Sequence, residues 1–384
     1  MLQDDDLVEC MPVGRRWSDD AIAALEAEEK RSVDSHLIRL PLPAFNDIHL
    51  YLKDESLHPS GSLKHRLARS LILSGICDGR IGRDTALVDA SSGSTAVSEA
   101  YYARLLGLKF YAVLPSGTTR SKVDAILFNG GECHFVDTPG EVYAVAARLA
   151  EEIGGCYLDQ FTFAERATDW RGHNIADSIF RQMELEPHRL PSWVVMSAGT
   201  GGTSATIGRY VRYRQLQTRL CVPDVEFSAF FDGWASGDPG RTCETSSRIE
   251  GVGRPRVEKS FVPGVVDVML KVPDAVSLAA CHVLSRCLRR QVGASTGTNF
   301  LGALWALDRM SREGRPGSVV TIICDGGDRY ADTYFNDDWL RTNGFALQPY
   351  IEMIDRVLDG GGFAKELLIA QKGSADFGDM RLAS

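Results

Sequence analysis

No Cys-x-x-Cys pair occurs in the 384 residues, although the chain holds nine cysteines. They stand singly, at Cys10, Cys77, Cys133, Cys156, Cys221, Cys243, Cys281, Cys287 and Cys324. An odd, scattered set argues against a disulfide framework and against a structural zinc site. The eight histidines show no His-Glu-x-x-His and no other metal-ligand spacing, so no metal is expected. No apolar run reaches the length of a membrane span. The N-terminal "MLQDDDLVECMP" is acidic and lacks an apolar segment, which argues against a secretory signal. No run of basic residues interrupts a formal net charge of -9, so nothing electrostatic favours nucleic acid or an anionic membrane. The expectation is a protein of the reducing cytoplasm.

Apolar residues make up 44% of the chain, enough for one large domain or two lobes. Short apolar runs alternate with amphipathic stretches. The strand-like runs are 50–55, 86–90, 109–115, 132–137, 193–199, 224–230, 266–273 and 319–327. Helical patterns cover 18–32, with Ser18 as its cap, then 96–107, 275–291 and 347–359. Such alternation predicts an α/β protein with mostly parallel sheet covered on both faces. Residues 231–263 are rich in Gly, Pro and Ser and read as a long loop, a lid, a binding segment or a disordered stretch. No internal repeat is visible.

Two places show an apolar strand, a Gly/Ser turn and then a helix. Such a turn aims backbone N–H groups and a helix dipole at one spot and favours an anion there. In "WVVMSAGTGGTSATIG" the turn is Gly199, Thr200, Gly201, Gly202 and Thr203. It is no P-loop, because no Lys-Ser/Thr follows the glycines. As a dinucleotide fingerprint it fails at Ser204, although Glu226 lies near the place of a ribose-binding acid. An ordinary tight turn is the other reading. In "ALVDASSGSTAVSEA", Ser91, Ser92, Gly93, Ser94 and Thr95 open a helix and offer small hydroxyl groups. That pattern also suits a plain capped helix. "VGASTGTNF" sets Ser295 between two glycines, and "GASTG" matches a hydrolase elbow only formally.

The stretch "LKDESLHPSGSLKHR" puts Lys64 where a turn becomes a helix. A surface lysine is the plain reading. A helix N-terminus, however, disfavours the ammonium form and tilts the side chain toward a neutral, nucleophilic amine.

Taken in order, these pieces resemble the cysteine synthase and cystathionine β-synthase group of pyridoxal-phosphate enzymes, which share the tryptophan-synthase-β fold. "SSGSTA" is similar to that group's substrate-carboxylate loop and "GTGGT" to its phosphate cup; "YLDQF", "RIEGVG", "GASTG" and "DGGDRYADTYFNDDWL" follow in the family's order. "SSGSTAVSEAYYARLLGL" and "EGVGRPRVEKSFVPG" resemble most the L-cysteine desulfhydrase branch. The match covers roughly residues 30–340.

The resemblance implies two lobes, each a mostly parallel twisted sheet flanked by helices. Residues 1–45 would form a helix and arm on the larger lobe, 46–165 a smaller mobile lobe, 166–340 the larger lobe and 341–384 an extension. Lys64 would hold pyridoxal 5'-phosphate as a Schiff base and then act as base at the substrate Cα. Gly199, Thr200, Gly201, Gly202 and Thr203 would hold the phosphate, and Ser295 the pyridine nitrogen. Ser91, Ser92, Gly93, Thr95 and Gln160 would bind the amino-acid carboxylate, with Gly251 on the substrate side of the ring. The family usually has Asn where Ser94 faces the cofactor's phenolic oxygen, Asp where His65 stands and Gly at Ala96. A small amino acid is the implied substrate and a homodimer the implied assembly. β-Elimination on L-cysteine, giving hydrogen sulfide, pyruvate and ammonia, is the favoured reaction. β-Replacement on a serine, O-acetylserine or cysteine-type substrate is the alternative, and a cofactor-binding sensor the non-enzymatic one.

Overall fold

A computed structural model describes residues 15–370. Ten strands run β1 His36–Leu40, β2 Ile48–Asp54, β3 Leu87–Ala90, β4 Phe110–Pro115, β5 Glu132–Val136, β6 Cys156–Tyr157, β7 Trp193–Val195, β8 Arg219–Val225, β9 Val268–Val272 and β10 Gly317–Ile323. The first seven helices are α1 Arg15–Lys30, α2 Lys64–Cys77, α3 Ser94–Leu106, α4 Arg120–Phe128, α5 Val142–Glu152, α6 Gln160–Ala167 and α7 Ile175–Met183. Six more follow: α8 Gly202–Tyr213, α9 Phe230–Ser236, α10 Asp274–Leu288, α11 Ala294–Arg312, α12 Asp337–Thr342 and α13 Gln348–Leu358.

The strands form two sheets. One has six strands in the order β1-β2-β10-β7-β8-β9, all parallel except the antiparallel edge strand β1. The other has four parallel strands in the order β5-β4-β3-β6. Strand side chains alternate between faces. In β10, Val319 and Ile323 therefore join the core under α10, α11 and α13, while Val320 and Ile322 meet α7 and α8 on the other face. In the small sheet, Leu87, Phe110 and Ala112 face α2 and α3, and Val88 and Val113 face α5. The α/β expectation and the two covered sheets are thus what the chain builds.

Several expectations need correction. Strand β2 lies in the middle of the larger sheet, between β1 and β10, so 46–54 is not part of the smaller lobe. Burial of nearly the whole strand explains this, since only a central strand is covered on both faces. Helix α1 packs the other way: Ala21 and Leu25 meet Ala68 and Ile72 of the smaller lobe, not the larger one. It also starts at Arg15, which leaves Ser18 inside the helix rather than at its cap. The residues of the predicted arm and extension at 1–14 and 371–384, Cys10 among them, lie outside the described residues. Up to residue 370 the extension covers the large lobe, with Ile354, Val357 and Leu367 buried on its core.

The predicted strand 224–230 is instead β8, 219–225, and it runs through Pro223. Pairing with β7 stops at Cys221, so only β9 flanks the proline, and no ladder bond to β7 is lost there. The 231–263 segment begins in α9 and then forms a packed wall, with Ile249, Val252, Glu258 and Phe261 buried.

One side chain ties the strand ends that carry the cleft. Asn299 of α11 is fully buried; its Oδ1 accepts the Ser197 N–H at 2.7 Å, and its Nδ2 donates to the Ile322 carbonyl at 3.0 Å. Asn299→Ala leaves both backbone groups without a partner. We expect a loss of about 2–4 kcal/mol, read from the urea midpoint.

Candidate active site

The turn before α2 is fixed from both sides. Gly61 takes φ +75°, which glycine tolerates, and Ser62 forms a bridge with Asp325 at the end of β10. The Leu63 N–H donates to the Cys324 carbonyl at 2.8 Å. The two residues after Lys64 are lashed to other elements. His65 Nε2 lies 2.7 Å from the Tyr102 hydroxyl and 3.2 Å from Glu28 Oε1, and its Nδ1 is 3.0 Å from Ser60 Oγ. Arg66 donates to Glu55 Oε2 at 2.6 Å and to Asp34 Oδ1 at 2.9 Å. The "KHR" triplet therefore has two anchoring residues and one, Lys64, left to face a cleft between the lobes.

The opposite wall is the turn into α8. Gly201 takes φ +91°, and a Cβ there would lie 2.5 Å from the Phe261 Cα. A Cβ on Gly202 would lie 2.7 Å from the Ala164 Cβ, and one on Gly199 would lie 2.2 Å from the Gly251 carbonyl oxygen. The same Gly199 position is 3.8 Å from Lys64 Nζ. These glycines are required by close backbone approach, and the approach brings the amine against the helix start. The Thr200 hydroxyl accepts the Gly202 N–H at 3.2 Å, and the first turn of α8 presents N–H groups without intrahelical partners.

Lys64, Ser94, Gly199, Thr200, Gly201, Thr203, Gly251 and Ser295 line this one cleft. Gly202 stands just behind it at the first residue of α8. Ser91, Ser92, Gly93, Thr95 and Gln160 sit beside the cleft rather than in its lining, at the start of α3 and of α6. There the Thr95 hydroxyl donates to Gln160 Oε1 at 2.8 Å.

The motif reading passed over several lining residues, Met196 and Ser197 before the glycines and Cys324 at the end of β10, and took Asp325 only as the start of the "DGGDRYADTYFNDDWL" turn. Arg329 was passed over too; it reaches from the large lobe to donate to the Ser94 hydroxyl. For Met196 and Ser197 the signal was their place in "MSAGTGGT". Arg329 had none, because its partner is 235 residues away.

Burial pushes the Lys64 ammonium below its ordinary pKa, and the Arg254 guanidinium pushes the same way. Cys324, Asp325 and Glu99 pull the other way without reversing it. Burial in turn pushes the Cys324 thiol up to about 12, and raises Asp325 despite Arg329 and the Tyr330 hydroxyl. An amine kept partly neutral, facing a helix N-terminus, suits covalent capture of an aldehyde that carries an anionic tail. Two buried polar atoms of the lining, Ser197 Oγ and Asp325 Oδ1, have no protein partner. With the glycine cradle, they make the residues present a fit for pyridoxal phosphate.

A family model described as "Pyridoxal-phosphate dependent enzyme" matches residues 34–325. The chain is 59% identical over 337 residues to a Mycobacterium tuberculosis protein named L-cysteine desulfhydrase Cds1, covering 86% of this chain and 92% of that one. It is 26% identical to cysteine synthase 1 of Emericella nidulans, over 79% of this chain and 83% of that protein. The crystal structure of an O-ureido-L-serine synthase superposes with a TM-score of 0.68 over 80% of this chain and 96% of that one; at 23% identity it shows the fold alone.

Two expectations follow from this geometry. Gly199→Ala drives a Cβ into the Gly251 carbonyl; about 1–3 kcal/mol of overpacking weakens pyridoxal-phosphate binding about tenfold to a hundredfold, read by fluorescence titration of the apoprotein. The Arg66 anchor sets an acid limit. Burial alone would raise Asp34, but the Ser178 hydroxyl, Lys53 and Arg66 hold its pKa down at about 2 against an ordinary 3.8. A folded value below the unfolded one gives stability that is present above the unfolded value and lost as pH falls through the folded one. Between about pH 4 and pH 2 the wild type should therefore lose about 2 kcal/mol more than Asp34→Asn, measured by denaturant titration at each pH.

Proposed function

The chain belongs to the pyridoxal-phosphate dependent enzyme family, and from that premise we propose that it is an L-cysteine desulfhydrase, a carbon–sulfur lyase giving hydrogen sulfide, pyruvate and ammonia. The observation that carries this reading is one desolvated amine, Lys64, facing the anion-favouring start of α8 in a chain 59% identical to a protein of that name.

The bound cofactor supplies an electron-withdrawing ring that acidifies the substrate Cα–H and lets a β substituent depart. The chain's residues do the rest. Lys64 would hold the cofactor through Nζ. Freed by an incoming substrate amine, Nζ would stand close to the substrate Cα and could accept its proton with little reorganisation. Its lowered pKa favours the neutral form that can accept that proton. Gly199, Thr200, Gly201, Gly202 and Thr203 hold the phosphate with backbone N–H groups and two hydroxyls. Ser295, 5% exposed at the start of α11, offers the ring nitrogen a neutral hydroxyl. A neutral partner favours prompt loss of the sulfur over a long-lived carbanion.

Ser91, Ser92, Gly93, Thr95 and Gln160 receive the substrate carboxylate, Gly251 leaves room on the substrate side, and Ser94 is held from across the cleft by Arg329. A reducing cytoplasm is supported by eight free cysteines among the described residues. A homodimer is carried over from the family resemblance, and sedimentation tests it.

The deciding experiment reduces the purified protein with borohydride and maps the adduct. A pyridoxyl group on Lys64 is expected, and none anywhere in Lys64→Ala. Sulfide release from L-cysteine should fall by about 10²–10⁴-fold in that variant. If cysteine alone gives no sulfide, while cysteine plus an acceptor thiol gives a thioether, the reaction is replacement and the lyase reading is wrong.

A further inference from the structure

Beneath the start of α3, two carboxyl groups meet away from water. Asp89, near the end of β3, and Glu99, in the second turn of α3, are both 0% exposed. Neither Glu99 oxygen has a donor, nor does Asp89 Oδ1. Asp89 Oδ2 accepts from Gln160 Nε2 at 2.8 Å, and the N–H groups of Ala90 and Gln160 also favour its charged form. The same Gln160 amide accepts from the Thr95 hydroxyl. Asp89 is the carboxyl group beside Glu99, and among the described residues no cation is paired with either group.

Two carboxylates side by side in a low-dielectric interior cannot both be ionised. Both lack a cation, so one must carry a proton, and only a protonated Glu99 has anything to donate to Asp89. We propose that Glu99 and Asp89 share a proton beneath the substrate-carboxylate loop, and that this protonated pair is the positioning element that lets Gln160 and Thr95 receive an amino-acid carboxylate. The role of Gln160 and Thr95 rests on the site reading above; the shared proton does not.

The chemistry explains why a proton is needed there: one shared proton leaves the pair a single negative charge instead of two. An arriving carboxylate brings a further negative charge close to Gln160. Were Asp89 and Glu99 both charged, its binding would be opposed across a dry gap, where Coulomb repulsion is least screened. With the proton in place, Gln160 keeps its amide fixed between Asp89 and Thr95 at little electrostatic cost. Burial, with Asp89 beside it, holds Glu99 well above the carboxylate range, and burial pushes Asp89 up to about 7. The surrounding groups are few. Asp159, before α6, adds to the negative field at Asp89, and Lys64 of α2 opposes it at Glu99. Tyr157 of β6 stays neutral, its own pKa raised by burial and by these carboxylates. Below about pH 7 Asp89 is protonated as well; above it the pair keeps only the proton it shares through Glu99, and the added negative charge makes the affinity for amino-acid carboxylates fall as pH rises through that value. The charge of the incoming ligand raises that pKa further, so binding takes up a proton.

The test uses the holoenzyme and two readouts that need no turnover. Infrared spectra at about pH 8.5, where only Glu99 of the pair keeps its proton, should show a carboxylic-acid carbonyl stretch that shifts in deuterium oxide and is lost in Glu99→Gln. Calorimetry with L-alanine, which has no leaving group, should show wild-type affinity falling about three- to tenfold between about pH 6 and about pH 8.5, with proton uptake. In Asp89→Asn that fall shrinks to within about twofold and the uptake disappears; titration of alanine's own amine is common to both proteins and cancels. If Asp89→Asn does not fold, Glu99→Gln carries the binding test, and its pH profile must be displaced from the wild type's. A band unchanged in Glu99→Gln, or a wild-type pH profile in the variants, overturns the proposal. Absence of sulfide from cysteine would sink the lyase reading instead, and leaves both of these readouts able to decide on the pair.

Discussion

An amine whose charged form is disfavoured inside a polar cleft is the constraint on which the rest of the site depends. Water removal disfavours the Lys64 ammonium, and Arg254 adds to the effect. Three acidic groups stand near enough to undo this: Cys324, Asp325 and Glu99. Each is disarmed by the same burial. The Cys324 thiol stays neutral, with a pKa of about 12, and the carboxyls of Asp325 and Glu99 are shifted toward their protonated forms. The cleft therefore offers the amine polar neighbours without a full counter-charge. A salt-bridged lysine would be a poor nucleophile and a poor base.

Holding one flexible side chain in such a place takes rigid surroundings. The fold supplies them by fixing Lys64's neighbours. His65 is enclosed by Tyr101, Tyr102, Glu28 and His58, which binds α2 to α1 and α3. Arg66 enters the Asp34–Glu55 pair, whose members are at most 13% exposed, so its hydrogen bonds are shielded from competing water. Across the cleft, the 249–261 segment packs so near the α8 turn that residues 199 and 201 have no room for a Cβ, and at 202 Ala164 of α6 leaves none either. The long glycine-rich loop is thus less a cover than a wall, and its Gly251 carbonyl sets how near the backbone at 199 can come.

Much of this was legible in the sequence, for a local reason. A glycine where the chain turns tightly into a helix, and small hydroxyl residues at the helix start, are requirements of a few consecutive residues. Gly199 through Thr203 could be read as an anion site from their own neighbours, whereas Lys64 and Ser295 took their roles from the family resemblance. The order of these turns added what no single turn carried. Illegible were the features made by distant segments. Strand β6 has two residues and no period to detect. Strand β8 was displaced along the chain because a proline argues against a central strand, and only the early end of β7 makes it tolerable. Helix α1 shows an apolar stripe without showing which lobe it will cover. Asp89 and Glu99 read as an ordinary strand end and an ordinary helix residue. Only the fold turns them toward each other, with Gln160 donating to Asp89 and, among the described residues, no donor for Glu99.

The ties across the cleft bear on which reaction such a site can run. Arg329 meets Ser94 across it, and Lys122 of α4 lies 2.8 Å from Glu250 of the wall. Lys122 and Glu250 are about a third exposed, so the pair contributes little, about 1 kcal/mol or less. A tie of that strength adds little to whatever holds the lobes together. Elimination has one organic substrate, cysteine, and its second reactant is water. Replacement would need a second organic substrate held beside the first while the reactive carbon waits. The lining residues on the substrate side are Ser94, Gly251 and Val252, with Arg329 over Ser94. They are small, apolar or already engaged, and they supply no free charge to hold an acceptor. On the proposed reading, a site that takes one carboxylate at Thr95 and Gln160 and offers nothing to a second would be built to release what it forms.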